Sequence, residues 1–87
     1  MSYYIELRRT AQKELDRLQG RDYEAVATVI SRLKHNPRPP KVKKLAESGL
    51  WRIRVGSYRV IYAIDDERQL VTIVRVARRS EATYRRL

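Results

Sequence analysis

Over the first 33 residues the spacing of apolar positions changes from every second residue, typical of a strand, to about every 3.6 residues, typical of a helix. Residues Tyr3 to Leu7 alternate between apolar and polar types, which predicts a short strand. Two segments with apolar residues at helical spacing follow, and their apolar positions are Ala11, Leu15 and Leu18, then Val26, Val29, Ile30 and Leu33. We expect an antiparallel helical hairpin in which Gly20 ends the first helix and Asp22 caps the second.

The period returns to two after Asn36-Pro37, which ends the second helix because a residue before proline avoids the α region. Leu50 to Val55, Tyr58 to Ile64 and Leu70 to Ala77 predict three strands, and Gly56-Ser57 predicts a two-residue hairpin turn. The order of strand, two helices and antiparallel meander predicts an α+β fold. We expect the helices on one face of a single sheet and the other face open to solvent.

Length and composition narrow the possible chemistry. The 87 residues suit one domain, residues 1–87. The absence of cysteine excludes disulfides, thiolate zinc sites and cysteine catalysis, and a single histidine excludes any two-histidine metal site. Asp65, Asp66 and Glu67 could suggest a metal, but they lie in one tight turn with no further carboxylate placed to complete a site, and we interpret the segment as a polar turn. We therefore expect no metal and no cofactor. The longest apolar run, Val60 to Ile64, is far shorter than the ~20 residues of a membrane span, and we expect a soluble cytoplasmic protein.

The formal net charge of +10 predicts a polyanionic partner, which could be nucleic acid, an acidic protein or an anionic membrane. The charge is uneven along the chain. Residues 1–36 hold seven Lys and Arg against five Asp and Glu, whereas residues 37–87 hold thirteen against five. The segment after the helical hairpin therefore carries most of the positive charge.

The predicted hairpin turn brings arginines together. If Gly56-Ser57 is the turn, Arg54 faces Arg59 and Arg52 faces Ile61, so the three arginines share the open face of the sheet. Like charges directly opposed destabilise a sheet, unless an anion bridges them. This arrangement predicts a phosphate site. The alternative is a set of ordinary solvated arginines that splay apart.

Further basic residues flank this region. Arg78 and Arg79 follow the third strand, and the polar tail adds Tyr84, Arg85 and Arg86. Nearby positive charge favours the phenolate of Tyr84, which would make it a base or a stacking platform for a nucleobase, or it could simply pack the tail onto the sheet. We interpret Lys41, Lys43 and Lys44 as a solvated basic loop that could widen a nucleic-acid footprint.

The string from Leu50 to Tyr62 resembles the central signature of the RelE/ParE superfamily of bacterial toxin–antitoxin toxins. The segment from Val76 to Arg85 resembles the C-terminal motif of the RelE branch, a basic cluster followed by tyrosine. The resemblance covers essentially the whole chain. It implies a β-α-α-β-β-β fold of the microbial-ribonuclease type.

The RelE branch implies a ribosome-dependent endoribonuclease that cuts mRNA in the ribosomal A site without a metal. By position, Arg59 matches the arginine of the family's tyrosine–arginine pair, Arg78 or Arg79 matches its late arginine, and Tyr84 matches its late tyrosine. Arg52 and Arg54 fall where RelE proteins often have lysine. The resemblance implies that the arginines hold the scissile phosphate. Because guanidinium stays protonated, Tyr84 is the candidate base.

The same resemblance implies a protein partner, a cognate antitoxin that wraps the toxin, together with the ribosome and its mRNA. Two alternatives stay open. One is a ParE-like inhibitor of DNA gyrase, although that branch generally lacks the late arginines and tyrosine. The other is a catalytically weak basic module that binds RNA or an antitoxin without cleaving RNA.

Overall fold

The computed structural model of the protein describes residues 2–80, in which two helices pack on one five-stranded sheet. The elements in chain order are β1 (Tyr4–Leu7), α1 (Arg9–Asp16), α2 (Gly20–Leu33), β2 (Lys43–Lys44), β3 (Trp51–Val55), β4 (Tyr58–Asp65) and β5 (Leu70–Arg78). The strand order across the sheet is β1-β5-β4-β3-β2. The predicted α+β order is confirmed, with β2 as an additional strand. The sheet is mixed because β1 runs parallel to β5, whereas the other neighbouring pairs are antiparallel.

The boundary between the helices differs from the prediction. Helix α1 ends at Asp16, and Gly20 is the first residue of α2, with a positive φ of 56°. Gln19 occupies the N-cap position of α2 without a capping side-chain hydrogen bond, so the predicted roles of Gly20 and Asp22 were wrong. Asp22 instead lies in the first turn of α2, where a carboxylate suits the positive end of the helix dipole. Neither helix is long and apolar enough to cross a membrane.

The core lies between the helices and one face of the sheet. The buried residues of this cluster are Ala11, Leu15, Val26, Ile30 and Leu33 from the helices, and Val55, Tyr58, Val60, Tyr62, Val71, Ile73 and Val76 from the strands. The face assignment predicted from the hairpin turn is confirmed for β3 and β4. Trp51 and Ile53 pack against this cluster while partly exposed, because they lie on β3 towards the edge of the sheet.

A β-bulge in β5 changes which residues of that strand face the helices. The pairing with β4 shifts between Ile61↔Arg75 and Tyr62↔Ile73, so Val74 is an extra residue on β5. Because the alternation restarts after the bulge, Val76 packs in the core, while Arg75 pairs with Ile61 and Ala77 with Arg59. The bulge therefore sets the direction of the side chains near the end of β5.

The proline-rich loop after α2 is tied to the sheet by a buried hydrogen bond. The Tyr62 hydroxyl is fully buried and donates to the Pro37 carbonyl oxygen at 2.7 Å. Burial raises the pKa of Tyr62 well above its usual range, so this phenol stays protonated. The bond fixes the loop that leads into β2.

Polar contacts add to this attachment. Arg38 forms a bidentate ion pair with Asp66, with nitrogen–oxygen distances of 3.2 and 2.9 Å, and the Tyr3 hydroxyl donates to Asp66 at 2.7 Å. The hydrogen bonds from Arg38 and Tyr3 lower the pKa of the Asp66 carboxyl. The Arg38 guanidinium and the Lys44 ammonium also lie 5.1 and 5.7 Å from the centre of the Trp51 ring.

We predict that Tyr62→Phe lowers the free energy of unfolding by about 1–3 kcal/mol, because the buried Pro37 carbonyl loses its donor. Urea unfolding followed by circular dichroism at neutral pH measures the change. Tyr23→Phe is the matched control, since Tyr23 is 42% exposed on α2. Equal stability of the two variants would contradict this account of the loop.

Candidate nucleic-acid interface

The β3–β4 hairpin has the predicted turn and register. Val55 pairs with Tyr58, Arg54 with Arg59, and Arg52 with Ile61. Gly56 has a φ of 57°, the conformation that the first position of a type II′ turn requires. Arg52, Arg54 and Arg59 therefore share one face of the sheet, opposite the helices, which we call the arginine face.

The three arginines differ in exposure, which corrects the prediction of an open face. Arg54 is exposed, Arg59 is half-buried and Arg52 is only 8% exposed. Arg52 lies in the interior of the face, where it pairs with Lys43 on one side and with the fully buried Ile61 on the other. Arg54 lies beyond the end of β2 and pairs with no residue of that strand. Arg52 is thus buried within the arginine face, whereas Arg54 lies at its exposed edge.

The end of β5 is bonded to the β3–β4 turn. The Arg79 amide donates to the Ser57 carbonyl at 2.8 Å, and Nη1 of Arg79 lies 3.4 Å from the Gly56 carbonyl. In return, Nη1 of Arg59 donates to the Arg79 carbonyl at 2.7 Å. These contacts hold Arg59 and Arg79 together although they are twenty residues apart in the chain.

A depression of about 490 Å³ opens at this end of the sheet. The described residues that line it are Ser57, Arg59, Arg78, Arg79 and Ser80, and we call it the arginine depression. Arg78 leans towards the helix side, with its guanidinium 5.9 Å from the centre of the Tyr58 ring. Three of the lining residues are arginines, which suit a phosphodiester because a guanidinium can donate two parallel hydrogen bonds to phosphate oxygens.

The predicted basic loop is in part a strand. Lys43 and Lys44 form β2 and pair with Arg52 and Trp51 of β3. Sequence alternation cannot reveal a strand of two like residues. Lys43 lies on the arginine face, whereas Lys44 stacks on Trp51 on the other side of the sheet. Lys41 is exposed and has a positive φ of 74°.

Three predicted site residues, Tyr84, Arg85 and Arg86, lie outside the described residues, as does the rest of the predicted tail from residue 81 onwards. Within residues 2–80, no three acidic or histidine side chains come together in a metal-binding group. In the turn between β4 and β5, Asp65 accepts a hydrogen bond from the Arg68 amide and Asp66 pairs with Arg38. These contacts support the interpretation of that segment as a polar turn.

Sequence reasoning missed a carboxylate that contacts β5. Glu14 of α1 binds the guanidinium of Arg75 and the amide of Val76. The sequence contains an indication of this contact. Glu14 lies three residues after Ala11 and directly before Leu15, and Ala11 and Leu15 are both buried on α1. A glutamate beside the apolar stripe of a short helix is placed to reach the sheet.

Comparison with known proteins identifies the family. The sequence model for the ParE toxin of the type II toxin–antitoxin system parDE matches residues 5–83. The chain belongs to this family. Toxin RelE of Mycobacterium tuberculosis is 41% identical over 85 residues, which cover 95% of this chain and 87% of that protein. Toxin RelG of the same organism is 35% identical over 88 residues, covering 99% of this chain and 100% of that protein.

Solved structures have the same fold. The toxin–antitoxin complex RelBE2 from M. tuberculosis matches with a TM-score of 0.79 and 33% identity over 91% of this chain and 100% of that chain. The RelE–RelB complex of Pyrococcus horikoshii matches with a TM-score of 0.82 and 28% identity over 94% and 100%. The resemblance to RelE/ParE toxins is confirmed, and the protein is a type II toxin of this superfamily.

We predict that Arg59→Ala weakens binding to a single-stranded RNA oligonucleotide by roughly tenfold, because one charge-assisted contact to phosphate is lost. The slope of log affinity against log salt concentration should become shallower by about 0.7, the value for one phosphate contact. Fluorescence anisotropy at several salt concentrations measures both quantities.

Arg21→Ala is the matched control for this measurement, because it removes the same charge from an exposed position on α2. It should leave the salt slope close to that of the wild type. If the two variants changed the slope equally, RNA would be attracted by net charge and not by the arginine depression.

Proposed function

We propose that this toxin is a ribosome-dependent endoribonuclease that cuts mRNA in the ribosomal A site and so stops translation. The observation that carries the proposal is the arginine depression, where the Arg59 side chain is joined by a hydrogen bond to the Arg79 carbonyl beside Arg78. The relatives named RelE and RelG support the RelE branch over the gyrase-binding branch. Action on the ribosome places the protein in the cytoplasm.

The proposed reaction is an internal transesterification. The ribose 2′-oxygen bonds to the adjacent phosphorus and the bond from phosphorus to the 5′-oxygen breaks, leaving a 2′,3′-cyclic phosphate and a 5′-hydroxyl. The 2′-hydroxyl gives its proton to a base, and the leaving 5′-oxygen takes a proton from an acid. Negative charge grows on the phosphate oxygens during this step. Fixed guanidinium groups lower the barrier by stabilising that charge.

The arginines divide these tasks by position. Arg59 and Arg79 hold the scissile phosphate, since Nη1 of Arg59 donates to the Arg79 carbonyl and Nη1 of Arg79 lies beside the Gly56 carbonyl, which keeps both guanidinium groups near the turn. Arg78, at the same depression, supplies a third positive charge. Arg54, which faces Arg59 across β3 and β4, extends the positive surface. Arg52 is buried in the arginine face and adds its charge from beneath that surface.

Proton transfer needs a different residue type, because guanidinium does not deprotonate in proteins. Tyr62 is unsuited to this task because burial raises its pKa and its hydroxyl donates to Pro37. We assign the role of base to Tyr84, which follows the basic cluster in the sequence. Lys41, Lys43, Arg85 and Arg86 then widen the contact with RNA phosphates, and Lys44, stacked on Trp51, adds to the charge at the sheet edge.

We also propose that a cognate antitoxin binds this chain and neutralises its positive charge. Support comes from two of the matched structures, which are complexes of a toxin with its antitoxin RelB partner. Residues 37–87 hold thirteen basic and five acidic residues. An antitoxin segment with acidic and apolar side chains would complement that surface.

Primer extension on mRNA bound to purified ribosomes with an empty A site tests the activity. We expect the wild-type toxin to produce a cut within the A-site codon. Arg59→Ala and Tyr84→Phe should each slow the cut by about 10²–10³-fold, the effect of removing one group that stabilises charge or moves a proton in the transition state.

Arg21→Ala should cut at the wild-type rate in the same assay and controls for loss of charge. Absence of a cut with the wild-type protein, on the ribosome and on free RNA, would contradict the proposal. Inhibition of DNA gyrase supercoiling would then be measured to test the ParE-like alternative. RNA binding without either activity would indicate a catalytically weak module.

A further inference from the structure

The Glu14 side chain extends from α1 to the second half of β5, where it contacts Arg75 and Val76. One oxygen of Glu14 accepts from Nε of Arg75 at 3.0 Å and from the Val76 amide at 2.9 Å. The other accepts from Nη2 of Arg75 at 2.6 Å and from Nε at 3.1 Å. The Glu14 and Arg75 side chains are only 17% and 18% exposed. Both carboxylate oxygens are therefore engaged in a sheltered site.

The topology of the sheet explains why β5 needs an acceptor here. The parallel ladder between β1 and β5 ends at Leu7↔Ile73, and the Arg8 amide makes the last backbone bond to Ile73 before the chain enters α1. Strand β5 continues to Arg78 without β1 beside it. Glu14 supplies the oxygen that the Val76 amide would otherwise find on a neighbouring strand.

The bonded segment leads directly to the arginine depression. Val76 is two residues before Arg78 and three before Arg79, and Arg79 is the residue bonded to Ser57 and Arg59. Val76 also pairs with Val60 of β4, next to Arg59. The contact from Glu14 therefore fixes β5 between the bulge at Val74 and the two arginines that close the depression.

We propose that Glu14 is a positioning residue for RNA cleavage, which acts through Arg75 and Val76 to hold the end of β5 at the β3–β4 turn. This inference rests on the proposed ribonuclease function. Glu14 binds no substrate in this account. Its carboxylate aligns the guanidinium groups of Arg78 and Arg79 with that of Arg59, so its loss separates groups that must act on one phosphate.

The test compares Glu14→Ala, Glu14→Gln and the wild type in single-turnover cleavage on ribosomes over a range of toxin concentrations. For Glu14→Ala we expect the maximal rate constant to fall by about 10–10²-fold, because small misplacements of catalytic groups have effects of this size. The toxin concentration for half-maximal rate should change much less, since most of the basic surface is unchanged. Glu14→Gln should recover part of the rate, because its amide oxygen can still accept from Val76.

Hydrogen exchange of single amides gives a readout that does not depend on activity. In Glu14→Ala we expect faster exchange at Val76 and also at Arg79, which does not contact Glu14 and lies three residues after Val76. In Glu14→Gln the increase at both amides should be smaller, because the amide oxygen can still accept from Val76. Glu24→Gln is the matched control, since it removes an exposed carboxylate from α2. It should leave both the rate and the exchange at the wild-type level.

Each outcome decides one claim. A wild-type maximal rate and unchanged Arg79 exchange in both Glu14 variants would overturn the positioning role while leaving the proposed function intact. The positioning role would also be overturned if circular dichroism showed that the fraction of unfolded protein accounts for the whole loss of rate. If the wild type does not cleave, the proposed function fails, and Arg79 exchange then decides whether Glu14 holds the strand end.

Discussion

The hydrogen bond from the Arg79 amide to the Ser57 carbonyl joins the two segments that form the arginine depression. One segment is the end of β5 and the other is the β3–β4 turn. A second bond, from the Arg59 guanidinium to the Arg79 backbone carbonyl, orients the Arg59 side chain towards the end of β5. The junction extends the β4–β5 ladder, in which Tyr58 pairs with Arg78, by one residue and so places Arg79 beside Arg59.

The junction also explains how the sheet accommodates like charges. Arg54 and Arg59 face each other across β3 and β4, which alone would weaken the pairing. The bond to the Arg79 carbonyl draws the Arg59 guanidinium towards the end of β5, and the Glu14–Arg75 pair neutralises another arginine of the sheet. The arginines at this end of the sheet are thus held close together, and hydrogen bonds to the Arg79 carbonyl and to Glu14 offset their mutual repulsion.

Part of this site follows from the sequence and part does not. The Gly56-Ser57 turn fixed the pairing of Arg54 with Arg59, because strand side chains alternate with a period of two. The register gives the face of Arg52 but not its depth, so its burial beside Ile61 was missed. The bulge at Val74 was missed because it interrupts a continuous run of β-branched residues, in which a shift of alternation leaves no trace. Strand β2 depends on its pairing with β3, which the local pattern does not encode. Helix α2 starts at Gly20, two residues before the aspartate that local cap preference favoured.

A structure of the toxin on a ribosome carrying mRNA with a 2′-O-methyl group at the cleavage position tests the central claim most directly. The methyl group blocks attack and keeps the substrate intact. The account predicts that the phosphate after the blocked ribose lies in the arginine depression, with Arg59 and Arg79 guanidinium nitrogens about 3 Å from its oxygens. A phosphate held elsewhere, with the depression facing solvent or protein, would contradict the account.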